Sequence, residues 1–599
     1  MANARGPQSA AAVQYRKGVH VLLSYNTAGI QFETQSEAAY YHVKMNFTFD
    51  NAALESSRLL ACFTQGSGFS FIFGPLGWLC VAIIVVGFSI AKLQKQESFR
   101  KLYDRAGNKI PHGPAPLPIV GSFPFLTHFP EVTLDKWTKK FGDLYSIWLG
   151  NQLFVIISSP QIAKDLMVTN GAVFSSRKEM FIKSQIVFAG RGITATPYND
   201  RWRKHRRIAT GWLNQKAVDS YTPVLDREAT DMMIALYEAS NNGENLFNPQ
   251  PFAGRCSLNN MLTIVFGMRT DSVEHPMVKT ALRLSREFMN CTGPMSNLVD
   301  FVPLLQYLPT QMRTRGRKLH QDLVDTYGGL INDTEQRMSR GEDVPECLSK
   351  TMLKARDEEQ LDDLDMAITA SAFMIGGVET TASIMQWFSA LIPAYPQIQK
   401  RAQEELDRVV GRDRLPNVED EARLPYVHAI VKEVERCHNP FWLGTPHVAS
   451  EDFTYKGKFI PKDTVLVLNT WTMHHDEKRH PNPMEFDPDR YINDPLTASQ
   501  SSNLVDPYER DHWMFGAGRR ICPGMVVAER EIWLTISRLI WAFTLEQVPG
   551  HPIDLKEYDG LSGRSPVPFY IKLIPRHENV KKVLNAAWEK KGGRDGRTG

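Results

Sequence analysis

Cysteine is scarce in this chain of 599 residues: there are seven, an odd number, at irregular spacing and with no C-x-x-C pair. That excludes a disulfide framework and a zinc ribbon, and it reads as reduced thiols facing the cytosol. Strong charge of either sign is also lacking. A formal net charge of +3 gives no support for a nucleic-acid partner. No apolar core follows the first residues, so residues 1–66 do not resemble a signal peptide. A dinucleotide loop is missing too: Gly516-x-Gly518 has Ile521 where the third glycine belongs, and no strand-like run precedes it. What remains is an ordinary globular balance, 43% hydrophobic and 23% charged.

The chain has one long apolar run at its start. Residues 1–66 are polar and without periodicity, and the segment 67–91 then carries no charge, with Phe69 to Ala91 apolar or small throughout. A helix of that length crosses a hydrocarbon core of roughly 30 Å. Lys92, Lys95, Arg100, Lys101, Arg105 and Lys109 follow it, against Arg58 alone nearby on the other side. The positive-inside rule therefore predicts a single-pass membrane protein with everything after residue 92 in the cytosol. Extension 1–66 would be lumenal, with Asn46-Phe47-Thr48 as a glycosylation sequon. A start at Met45 would keep the span and remove residues 1–44. Residues 92–118 read as a basic, proline-rich linker, since prolines at the density of Pro111, Pro114, Pro116 and Pro118 favour extended geometry.

The stretch around which the rest is organised is Phe515-Gly516-Ala517-Gly518-Arg519-Arg520-Ile521-Cys522-Pro523-Gly524. A helical apolar pattern follows it from Met525. A thiol at a helix N-terminus beside Arg519 and Arg520 is expected to have a depressed pKa. Gly-Arg-Arg flanks suit a buried structural cysteine poorly. No signature assigns a partner histidine for nucleophilic catalysis, and the nearest other cysteine, Cys437, is too distant in sequence for a zinc pattern. A haem iron ligand remains, with the glycines letting backbone approach a porphyrin.

Here the chain resembles a known family. Phe515, Gly518, Arg520, Cys522 and Gly524 meet the pattern F-x-x-G-x-R-x-C-x-G of the haem loop of cytochrome P-450 monooxygenases. Other elements follow in the family's order over roughly residues 110–577. Ala372 to Thr381 resembles the oxygen-side helix [AG]-G-x-[DE]-T-[TS], which implies that Gly376 and Gly377 leave room above the iron while Glu379 and Thr380 relay protons. The segment Trp202-Arg203-Lys204-His205-Arg206-Arg207 resembles the W-x-x-x-R helix, which implies that Trp202 and Arg206 reach the haem propionates. Lys204 and Arg207 would face an acidic electron donor. Glu433 and Arg436 form the E-x-x-R element, on one helical face by i,i+3 spacing. Glu55/Arg58 and Glu405/Arg408 share that spacing, but position selects Glu433: Phe486-Asp487-Pro488-Asp489-Arg490 and then the cysteine loop follow it, and the resemblance implies that Arg490 completes a structural network. One departure is Asn439 where many members have proline. It puts the path of the Phe441-Trp442 turn, expected to line the substrate pocket, in doubt. His447 is a candidate propionate contact.

The resemblance implies a mainly α fold with a small β-sheet region over 119–577, the cytochrome P-450 fold behind one transmembrane helix. Residues 578–599 read as a polar, basic, fraying tail. It also implies a haem with Cys522 as axial ligand, O2 and a small lipophilic substrate. Thiolate ligation pushes electron density towards iron, the effect attributed to cytochrome P-450s as a class. With no nucleotide fingerprint in the chain, electrons would come from a separate NADPH-dependent reductase, at the endoplasmic reticulum membrane. Tyr455 to Pro461 and Asp506 to His512 resemble fungal members of secondary metabolism. That suggests an aromatic polyketide or phenolic substrate, with terpenoids the runner-up. A reductase-independent isomerase or peroxygenase is the other class, but it often lacks the acid–threonine pair that stands here.

Overall fold

A computed structural model describes residues 102–293, 297–560 and 563–591, together with a small antiparallel hairpin of Ser24–Asn26 and Gly29–Gln31. The chain divides into two units, Met1–Phe88 and Ser89–Gly599. The expected span at 67–91, Asn46 and the first part of the basic linker lie outside the described residues.

The second unit is mainly helical. Eleven helices build the core and the site: α1 Pro130–Phe141, α2 Asp200–Leu213, α3 Gln215–Ser240, α4 Gln250–Phe266, α5 Pro276–Thr292, α6 Gln311–Leu323, α7 Asp363–Leu391, α8 Pro396–Val409, α9 Pro425–Cys437, α10 Met525–Ala542 and α11 Val580–Lys590. Strands β1 (Leu144–Leu149) and β2 (Gln152–Ile157) pair around Gly150-Asn151, where the alternating sequence places a hairpin. The strands β3 (His447–Val448), β4 (Phe453–Tyr455), β5 (Lys458–Ile460) and β6 (Val465–Leu468) come next. Strand β6 lies parallel to β2 and antiparallel to β3, giving a four-stranded sheet in the order β1-β2-β6-β3. Strands β7 (Phe543–Gln547), β8 (Tyr558–Asp559), β9 (Ser565–Pro566) and β10 (Ile571–Pro575) make two further pairs near the C-terminus.

Helix α7 is the centre of the core. Asp362 caps it by accepting the Asp365 amide, and Asp363 and Asp365 sit in the first turn, where the helix dipole favours negative charge. Its sequence is apolar all round, as a helix surrounded by protein requires. Among the described residues it is the one helix long and apolar enough to cross a membrane, over Asp363–Ala394, but 83% of that window is buried inside the protein. It is a core helix. Helix α9 starts without a cap of its own, and Glu405 of α8 supplies one by accepting the amides of Tyr426 and Val427. The decoy glutamate of the Glu405/Arg408 spacing thus has a structural task.

Two sequence expectations fail here. The proline-rich stretch is no free linker: Lys109 bridges Lys458 and accepts the Phe459 amide, and Ser146 donates to the Pro111 carbonyl at 2.6 Å. Its backbone groups find sheet partners despite the prolines. The tail from Glu578 does not fray at once, because α11 buries Val580, Val583 and Leu584. An apolar stripe hidden among lysines holds it down.

Candidate active site

The cysteine loop is built by a backbone that only glycine tolerates. Gly518 has φ +64°, and a Cβ there would sit 2.0 Å from the Met167 carbonyl oxygen. The loop closes when the Cys522 amide donates to the Phe515 carbonyl at 2.9 Å. Gly524 caps α10, and a Cβ on it would meet no atom within 4 Å.

The two arginines beside the cysteine do not depress its pKa. Arg519 is exposed and turns to the Tyr198 hydroxyl. Arg520 lies over the Trp202 ring at 3.9 Å and donates to the carbonyls of Ser175, Ile193 and Thr196. Burial pushes the Cys522 thiol up from its ordinary value, against the Gly524 amide and Arg206, which pull it down. The expectation of a thiol pKa depressed by Arg519 and Arg520 is corrected; a metal ion held there would favour the thiolate.

On α7 the pattern is sharper. Every residue of α7 from Asp365 to Leu391 is buried except Gly376, Gly377 and Thr380. A Cβ on Gly376 would meet nothing within 4 Å. Gly377 is different, because its Cβ would fall 2.3 Å from Met261 Sδ on α4. The space assigned to both glycines belongs to Gly376, and Gly377 serves close helix packing instead. Thr380 donates its hydroxyl back to the Gly376 carbonyl at 2.6 Å, one turn earlier in a helix that stays continuous.

Glu379 points elsewhere. Its carboxylate accepts the Ser565 hydroxyl at 3.1 Å and lies 3.7 Å from Arg286 of α5, which pairs with Asp559 at 2.8 Å. Burial raises the Glu379 pKa, and Arg286 opposes it. The structure does not bring the Glu379 and Thr380 side chains together. Arg286, Asp559 and Ser565 come from three distant segments, and no local pattern in the sequence marks them.

At the far edge cations collect. Arg206 donates to the Ile521 carbonyl at 2.5 Å. Arg177, which sequence reading missed, is buried beside Arg206 and Arg520, bonds the Thr445 carbonyl, and keeps its Nε without a partner. Trp202 gives its indole N–H to the Ile193 carbonyl at 3.0 Å, so its expected bond to a propionate is replaced by a task as a floor for Arg520. His447 lies 2.6 Å from the Phe174 carbonyl through Nδ1. A carbonyl only accepts, so Nδ1 carries the hydrogen and Nε2 of the neutral ring is a bare lone pair. Burial and the Arg177 charge hold its pKa far down. As placed, His447 cannot donate to a carboxylate, which corrects its expected role.

Glu433, Arg436 and Arg490 meet. Arg436 grips Glu433 with two 2.7 Å bonds, and Arg490 reaches the same carboxylate at 3.3 Å. Arg436 also donates to the carbonyls of His474, Pro483 and Glu485. Trp442 does not line a pocket. It is 1% exposed and packs edge-on against Trp471, His474 and His475. The cause is Asn439, whose side chain accepts the Phe441 amide and donates to Thr470. Phe441 stays half-buried. Lys204 and Arg207 are not free for a partner, since Lys204 bonds the Glu359 and Gln360 carbonyls and Arg207 pairs with Glu359.

These residues fit a haem. An unpartnered buried Arg177 Nε–H and the neighbouring Arg206 suit its carboxylates, open space at Gly376 and Gly524 suits its faces, and Cys522 supplies the one thiol of the loop. A mainly helical domain with that loop and a core helix left uncovered at Gly376 defines a haem-thiolate enzyme. The sequence profile described as Cytochrome P450 matches residues 111–573. Among curated relatives, the cytochrome P450 monooxygenase virE of Hypocrea virens is 32% identical over 501 residues, covering 82% of this chain and 89% of its own length. The monooxygenase polD of Polytolypa hystricis is 32% identical over 523 residues, covering 84% of this chain and 96% of its own. Another, verL of Clonostachys rogersoniana, is 33% identical over 446 residues, covering 73% and 81%. The chain belongs to the cytochrome P450 family, and is an oxidoreductase of its fungal monooxygenase group with haem held by Cys522.

Proposed function

We propose that this enzyme inserts one oxygen atom of O2 into a small lipophilic substrate of fungal secondary metabolism, with electrons from a separate NADPH-dependent reductase. Haem with a thiolate ligand supplies the oxygen activation when bound. The observation that carries the reading is the interruption of burial on α7 at Gly376 and Thr380, which leaves room for a substrate and a hydroxyl at its wall. Arg177 and Arg206 anchor the cofactor's acids, and Glu379, its pKa raised by burial, stands within reach of Arg286 with Asp559 beyond it. Exposed Arg201 and Arg519 leave a basic rim for an acidic donor protein.

An aromatic polyketide or phenol is the substrate class we favour, on the fungal resemblance of Tyr455–Pro461 and Asp506–His512. With Trp442 buried, only Phe441 offers an aromatic face to a flat ring. We place the enzyme on the endoplasmic reticulum, anchored by a helix at 67–91, with its domain in the cytosol. Microsomes carrying the full chain, supplied with NADPH and reductase, are to be titrated with aromatic polyketides, steroids and saturated terpenoids. Aromatic ligands should give the largest spin-state change and a product of added oxygen. Turnover of terpenoids alone overturns the substrate class, and turnover without reductase overturns the electron route. Protease added to sealed microsomes should digest the Cys522 domain; protection of that domain overturns the topology.

A further inference from the structure

Helix α9 carries two acids in Glu433-Val434-Glu435-Arg436, and only the first belongs to the arginine network. Glu435 turns instead to the segment before the cysteine loop. His512 Nε2 lies 2.9 Å from a Glu435 oxygen, with both residues buried. Asp511 stands 3.8 Å from the same nitrogen and 3.3 Å from Lys432, which pairs with Asp494 at 2.7 Å. Arg510 on the same loop, Glu529 on α10 and the His474 ring at 6.2 Å complete the groups that face the imidazole. Burial disfavours the imidazolium, but Asp511 and Glu435 outweigh it and raise the His512 pKa above its ordinary 6.5. Asp511 is held down to about 2, and Glu529 is pushed up to about 8. On its other side the His512 ring packs on Phe515 with centroids 5.7 Å apart, and the Phe515 carbonyl receives the Cys522 amide.

We propose that the His512–Glu435 ion pair positions the axial cysteine, fixing its loop against α9 through Phe515 and giving thiolate ligation a pH dependence of its own. The pair touches no reacting atom. While the ring is protonated, it neutralises Glu435 and presses on Phe515. When the ring loses its proton, a buried carboxylate is left without its cation, which is a strongly unfavourable state. Relief comes by parting helix from loop, and the bond from the Cys522 amide to Phe515 is the first contact in its path.

The test uses the full-length holoenzyme in membranes and the absorption of its carbon monoxide complex, which distinguishes thiolate from thiol ligation without turnover. As pH rises above the ordinary imidazole range, the thiolate band should give way to the thiol band as His512 deprotonates. Glu435→Gln leaves no carboxylate to strand, so the thiolate band should persist across that rise in pH. His512→Gln should remove the transition, and Glu529→Gln should leave it in place. A transition retained unmoved in Glu435→Gln, or one abolished by Glu529→Gln, overturns the proposal. If His512→Gln fails to take up haem, the response of Glu435→Gln decides alone.

Discussion

Arg286 stands 3.7 Å from the carboxylate of Glu379, held there by Asp559 at 2.8 Å. The arginine lowers the acid's pKa and the aspartate raises it, so the two neighbours act on one proton with opposite signs. Arg286→Ala should move the pH profile of coupling, product formed per NADPH used, to higher pH. Asp559→Asn should move it to lower pH, by losing its own charge and freeing Arg286 for Glu379. Shifts of the same sign in both variants would remove Glu379 from proton delivery.

Thr380 reaches the open side of α7 with its hydroxyl bonded back to Gly376. Thr380→Ala should fold, bind haem and keep its spectrum, since that bond serves the helix little. NADPH consumption per product should rise several-fold, with the excess recovered as hydrogen peroxide. Thr380→Ser should restore most of the coupling. Equal coupling in all three enzymes would leave the hydroxyl a purely local role.

The Glu433–Arg436 pair is fully buried and bidentate, and Arg436 holds three carbonyls besides. Arg436→Ala strands a buried carboxylate and should cost roughly 3–5 kcal/mol of stability, with loss of haem. Arg436→Lys should rescue little, because an ammonium cannot reproduce the planar fork. Chemical denaturation with haem content as readout decides it.

What the sequence makes legible depends on how local the cause is. Gly518 and the Phe515-to-Gly524 loop are a backbone solution that any reader of glycines can find, and the acid–threonine segment breaks the apolar run of α7 in plain view. Trp442 defeats such a reading because its direction is set by Asn439 bonding to Thr470, a contact 31 residues away. Trp202 and His447 look in sequence like propionate partners, yet backbone carbonyls of Ile193 and Phe174 claim their N–H groups. Arg177, Arg286 and Asp559 leave no trace at all. Each acquires its role only when tertiary packing sets it beside a charge from elsewhere in the chain.

Glu531 on α10 gives the fold a pH dependence separate from catalysis. It is 1% exposed, accepts the Ser257 hydroxyl at 2.6 Å, and burial pushes its pKa up from 4.5 to about 7. The folded state therefore keeps a proton that the unfolded chain has released. Stability from this group is present below about pH 4.5 and lost as pH rises to about 7, some ~3 kcal/mol in all. Glu531→Gln should flatten that part of the stability curve and raise Tm at pH 8 relative to the parent. A parallel pH dependence in both proteins would count against a titrating Glu531.

Gly376 and Gly377 are neighbours in sequence that should answer the same substitution differently. Gly376→Ala puts its methyl into open space, so stability should hold while the room beside Thr380 shrinks. Bulky ligands should then bind at least several-fold more weakly, and haem uptake should be unchanged. In Gly377→Ala the methyl would lie 2.3 Å from Met261 Sδ and 2.6 Å from its Cγ. The strain should cost about 1–3 kcal/mol, the usual range for overpacking a core. Met261 is flexible, so Met261→Ala in the same chain should recover much of that loss, and a double-mutant cycle measures the coupling. Only the contrast between the two variants is diagnostic. Should Gly377→Ala spare stability and weaken ligand binding as Gly376→Ala does, both glycines face the substrate, and the close contact with α4 is not what fixes Gly377.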